Sequence, residues 1–106
     1  MGYRSEIFIK IDKSLEEDLD TLLKEYDLTS VFSKEDDTDE WGSYVKYEGD
    51  WLKWYSSYKD VIAIESFIEA NRDNAALLGI GEDGAESARA GDIDTMGMYI
   101  VSRIEW

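Results

Sequence analysis

Residues 3–11 alternate strictly, with Tyr3, Ser5, Ile7, Ile9 and Ile11 on one side and Arg4, Glu6, Phe8 and Lys10 on the other. Period two with β-branched residues predicts a strand with one buried face. Such a strand needs a cover, and the chain has to supply it from its own apolar residues. Its 106 residues include no cysteine and no histidine, so neither a disulfide nor the commonest metal ligand is on hand. The length suits a single domain, residues 1–106, with one core.

The cover comes as helical stripes. Ser14-Leu15-Glu16-Glu17 reads as a capping box opening a helix, and Leu15, Leu19, Leu22, Leu23 and Tyr26 recur at helical spacing after it. Leu28–Phe32 suggests a short strand, residues 34–42 an acidic loop, and Ser43–Glu48 a strand ending in a turn at Gly49-Asp50. A second helix over 58–72 places Val61, Ile64, Phe67 and Ile68 inward. Ala75–Ile80 reads as a strand, 81–97 as a Gly- and acid-rich loop, and Met98–Trp106 as a final strand. The predicted fold is α+β, a mostly antiparallel sheet of four to five strands with two helices on one face.

Charge sets the function classes. Twenty-five Asp and Glu against 11 Lys and Arg leave a net charge of −14. Such a surface repels nucleic acid and anionic membranes and attracts basic proteins. No apolar run approaches the roughly 20 residues of a membrane span. Residues 1–6 lack the apolar core of a signal peptide, and Gly2 opens an alternating strand rather than a myristoylation signal, so a cytoplasmic protein is expected. The excess acid is uneven: 8 acidic against 2 basic residues in 27–50, and 6 against 2 in 75–106.

Three chemical motifs are weak. Asp37, Asp39, Gly42 and Glu48 match EF-hand positions, but Trp41 stands where a ligand is needed and a strand follows instead of a helix. Asp50 and Asp60 beside Trp51, Trp54 and Tyr55 hint at a glycosidase pair, yet so acidic a chain makes accidental pairs unavoidable. Residues 79–84, Gly-Ile-Gly-Glu-Asp-Gly, lack the Lys and Ser/Thr of a phosphate loop. No catalytic residue, metal or cofactor is therefore assigned. Trp41, Tyr44, Tyr47, Trp51, Trp54, Tyr55 and Tyr58 crowd residues 41–58. Trp51, Tyr55 and Tyr58 fit a core-facing helical stripe. Trp41, beside the acidic segment, fits an exposed anchor of the kind enriched at interfaces.

Residues 1–6, Met-Gly-Tyr-Arg-Ser-Glu, together with Trp54–Val61 and Gly79–Asp83, resemble small uncharacterised acidic proteins of tailed bacteriophages. The resemblance implies a setting in which small acidic proteins bind and inhibit host proteins, some of them, such as anti-restriction and anti-CRISPR proteins, as nucleic-acid mimics. It assigns no residue a role.

The expected function is a non-enzymatic inhibitor that fills a basic nucleic-acid-binding cleft of a host protein. Asp12, Glu16 and Asp20 along the first helix, Glu35, Asp36, Asp37, Asp39 and Glu40 in the acidic segment, and Glu82 and Asp83 supply phosphate-like charge, with Trp41 as anchor. The alternatives are a small-molecule or nucleotide-signal module built on the aromatic cluster, and an oligomeric accessory protein such as a homodimer.

Overall fold

The alternating segment forms β1 (Ser5–Asp12), the central strand of a five-stranded sheet. The computed structural model describes residues 3–40, 42–100 and 104–105, without the side chains of Asp39, Tyr99, Ile100, Ile104 and Glu105. β1 pairs antiparallel with both β3 (Gly42–Leu52) and β4 (Ala75–Gly81). Ile7, Ile9 and Ile11 are fully buried on one face. Contrary to the expectation of a single buried face, Phe8 and Lys10 on the other side are also buried. Ile93, Met96 and Met98 pack there against Phe8, Ala76, Leu78 and Ile80.

The strand order is β2-β3-β1-β4-β5, with β2 (Phe32–Asp39) and β5 (Glu86–Gly91) at the edges. α1 (Glu16–Glu25) links β1 to β2, and β3 lies between those strands. α2 (Lys59–Ala70) links β3 to β4, and β1 lies between them. Two interlocked split β-α-β units result, which is the α+β class read from the chain. Leu19 and Leu23 of α1 and Val61, Ile64 and Ile68 of α2 join Ile7, Ile9, Ile11, Val45, Tyr47 and Leu77 in one apolar cluster. Two short strands, β6 (Tyr99–Ile100) and β7 (Ile104–Glu105), pair with each other.

Several local expectations are corrected. Ser14 does not cap α1. A 3₁₀ turn over Lys13–Leu15 comes first, and the Asp12 carboxylate caps it, accepting from the Ser14 N–H at 2.9 Å and its hydroxyl at 2.5 Å. A carboxylate two residues ahead is the stronger acceptor, so the hydroxyl becomes a donor. α1 then starts at Glu16 with no side-chain cap. The chain reaches Phe32 through turns, without a strand over 28–31, and the acidic segment 34–39 is strand instead of loop. Its residues have poor strand propensity, but all eight positions of β2 pair with β3.

β3 does not turn at Gly49-Asp50 but runs on to Leu52. Its register with β1 slips there, Gly49 facing Ile7 and Leu52 facing Ser5, and Trp51 takes the left-handed backbone at φ 58°. Trp51 is thus no part of a helical stripe. Within 81–97 the expected loop contains β5, because β4, buried along all seven residues, needs a partner on its second side. Residues 98–106 form two short strands where one was expected, with 101–103 and 106 outside the described residues.

Gly91 ends β5 with φ 74°, and a Cβ there would lie 2.1 Å from the Ala75 carbonyl oxygen. Backbone cannot yield as a side chain does, so Gly91→Ala is expected to destabilise the fold by about 2–3 kcal/mol. At Gly81 the obstacle is the outer end of the half-exposed Tyr3 ring. Gly81→Ala should therefore displace Tyr3 and cost about 1 kcal/mol or less. Urea midpoints of the two variants test this ordering.

Candidate functional site

Edge strand β2 carries most of the acidic segment, and its pleat divides the charges between two sides. Lys34 and Asp36 turn toward α1 and the 3₁₀ turn. The Lys34 ammonium binds Glu16 at 2.5 Å and Asp20 at 2.6 Å, and Lys13 binds Asp36 at 2.8 Å and Glu16 at 3.0 Å. Tyr47, buried in β3, donates its hydroxyl to Asp20 at 2.7 Å. Lys34, and to a lesser degree Lys13, hold the Glu16 carboxyl below its ordinary range. Burial, and then the bond to Asp20, push the Tyr47 phenol well above its usual 10.0.

The row of Asp12, Glu16 and Asp20 is therefore not an open line of negative charge. Asp12 is engaged as a cap, which lowers its own pKa through the Ser14 hydroxyl. Glu16 and Asp20 are bridged by lysines. Lys13 beside Glu16 is legible as an i,i+3 pair, but nothing local signals that Lys34 or Tyr47 reaches α1.

The other side of β2 carries Glu35 and Asp37. Asp37 pairs with Lys46 at 3.3 Å, and Glu35 stands opposite Lys46 in register. Glu35, Asp36 and Glu40 are exposed, and Asp37 partly so. Asp39 pairs through its backbone with Gly42, while Trp41 lies outside the described residues. Glu82 and Asp83 are elsewhere. Glu82 exchanges backbone and side-chain bonds with Arg4, and Asp83 accepts from the Tyr3 hydroxyl at 2.6 Å, which depresses its carboxyl pKa. Seven strand steps separate this end of β1 from Asp12, about 23 Å at a strand's rise. The structure thus assembles Glu16, Asp20 and Asp36 with two lysines, sets Glu35 and Asp37 on the opposite side, and leaves Glu82 and Asp83 remote.

Among the described residues the aromatic cluster is divided between the core and the surface, with only Tyr55 and Tyr58 meeting edge-on at 5.1 Å between ring centroids. Tyr47 and Trp54 are core, with Trp54 donating to Glu65 at 2.9 Å and meeting Phe32 edge-on. Trp51 is 59% exposed, and Tyr58 is also exposed. A cleft of about 240 Å³ between α1 and β2, floored by Leu23, Phe32 and Tyr47, takes only one ring of the cluster. Asp37 and Glu48 sit on paired strands opposite Tyr44 and Ser33, four rungs or about 13 Å apart, too far to clamp one calcium ion. Gly79 and Gly81 lie in β4 beneath Ile7 and Tyr3, which leaves no open phosphate cradle.

Comparison of the chain with protein-family models, with curated proteins and with solved structures finds no match. Among the described residues no helix is long and apolar enough to cross a membrane.

Two pH effects follow from the network. A phenol held neutral by the fold loses stabilisation once the unfolded chain releases its proton, so stability is full below about pH 10 and falls as pH rises beyond it. Tyr47→Phe should lower stability by about 1 kcal/mol at pH 7 and flatten that alkaline decline. Asp12, Glu16, Asp83 and Asp92 have carboxyl pKa values below their ordinary 3.8–4.5. They stabilise the fold fully above that range, and the contribution is lost as pH falls below it through their depressed folded values. Urea midpoints between pH 2 and 11 measure both limbs.

Proposed function

We propose that this chain is a non-enzymatic inhibitor of phage type, which binds a basic nucleic-acid-binding surface of a host defence or nucleic-acid-processing protein. The observation that carries the reading is the placement of Glu35, Asp36 and Asp37 at consecutive, solvent-reached positions of an edge strand. An extended strand advances about 3.3 Å per residue and turns successive side chains to opposite sides, so Glu35 and Asp37 stand about 6.6 Å apart on one side with Asp36 on the other. A run of negative charge along an exposed edge suits a cleft that normally holds a phosphate backbone.

Lys13, Lys34 and Lys46 bridge Glu16, Asp20, Asp36 and Asp37, so these four acids outnumber their cations, and the exposed Glu35 and Glu40 add to the excess. β2, which ends at Asp39, and the adjoining turn with Glu40 carry the interaction. The resemblance to phage proteins supports the host-directed setting. The division of the rings between core and surface favours neither a pocket built on the aromatic cluster nor a dimer interface formed by it.

The test is capture from a bacterial lysate at low and high salt, with release by added DNA duplex. A bound nucleic-acid-processing protein should elute above about 0.3 M salt, where exposed charges are heavily screened, and should be displaced by duplex. The variant E35Q/D36N/D37N, which adds no like charge beside Lys46 or Lys13, should lose at least tenfold in binding while keeping its unfolding free energy, read from urea titration, within about 1 kcal/mol. Capture that is indifferent to salt, duplex and the variant would sink the proposal.

A further inference from the structure

We infer that β2 is a docking edge for an extended basic segment of the partner, which adds to the sheet as a sixth strand antiparallel to β2. The inference rests on the acidic-surface reading above and names how that surface is engaged. Among the described residues, β2 has a strand neighbour on one side only, β3, with which it pairs over all eight residues. Alternate N–H and C=O groups of β2 therefore face outward, a ready template for another strand.

The side chains decide which strand is accepted. Cross-strand neighbours of like charge repel and those of opposite charge attract. In an antiparallel pairing of two copies centred on Asp36, Asp36 would face Asp36 and Glu35 would face Asp37, so like charges oppose self-pairing in that register. Asp36 and Asp37 already meet Lys13 and Lys46, and a neutral strand would add no further countercharge to any of the three acids. A strand with three successive basic residues opposite Asp37, Asp36 and Glu35 meets each carboxylate on its own side of the pleat. The residue after them falls opposite Lys34, which already holds Glu16 and Asp20, so a basic side chain is disfavoured at that position. The partner segment is thus basic-basic-basic-polar from N- to C-terminus. The charges that oppose self-pairing in that register select for that partner.

The probe is a capped peptide, Thr-Lys-Arg-Lys-Thr-Val-Thr, titrated into the full chain at low salt. Two further versions carry N-methyl groups on alternate amides in the two possible frames, with charge unchanged. The parent should bind and slow exchange of alternate β2 amides at least tenfold. One methylated frame, whose methyls point away from β2, should bind like the parent, and the other should bind at least tenfold more weakly. Equal binding by all three peptides overturns strand addition and leaves the acidic-surface reading intact. No binding by the parent overturns strand addition, and the duplex-displacement experiment then judges the acidic surface separately. Undiminished binding of the parent to E35Q/D36N/D37N overturns the basic partner and, with it, the reading on which it rests.

Discussion

The pairing of β1 on both sides is the constraint from which the rest follows. A strand with antiparallel neighbours at both edges and apolar residues at 7, 8, 9 and 11 exposes no edge and buries both faces over residues 7–11. Each face then needs its own cover. The isoleucine side takes both helices, and the Phe8 side takes residues 92–98. With β1 in the middle, both β-α-β crossovers have to step over a strand, which places β2 at one rim and β4 beyond β1, where β5 pairs with it as the other rim.

That arrangement also settles where so much acid can go. The segment with the largest excess of charge ends at the sheet edge, where carboxylates keep their water and like charges stand apart. Asp36, on the α1 side of the strand, meets Lys13, and Lys34 reaches across to Glu16 and Asp20. The bridges are exposed or half-exposed, so each contributes modestly to stability. They also tie β2 to α1 and the 3₁₀ turn, while Glu17 and Asp18 on α1 and Glu35 on β2 stay exposed.

Much of the framework was readable from local pattern. The alternation in 3–11, the leucines of 15–23 and the apolar spacing in 61–68 each define a face that has to be buried, and each is buried. β2 was misread because Lys34 to Asp39 has a loop-like composition. Its strand state comes from pairing with β3, anchored by the buried Phe32, and that pairing joins residues as far apart as Phe32 and Gly49. The capping box failed for a related reason: Asp12, at the end of a strand with a fixed register, was better placed to accept than Ser14.

The sequence alone determined the two helices, the central strand, the excess of acid and its uneven spread, since each is a property of neighbours along the chain. Only the tertiary structure decided which acids are bridged by lysine, that the acidic segment is an edge strand, that Trp51 is turned out on a bulge, and that Glu82 and Asp83 sit apart from the rest. Those outcomes depend on which distant segments lie side by side, and strand order, not local propensity, brings them together.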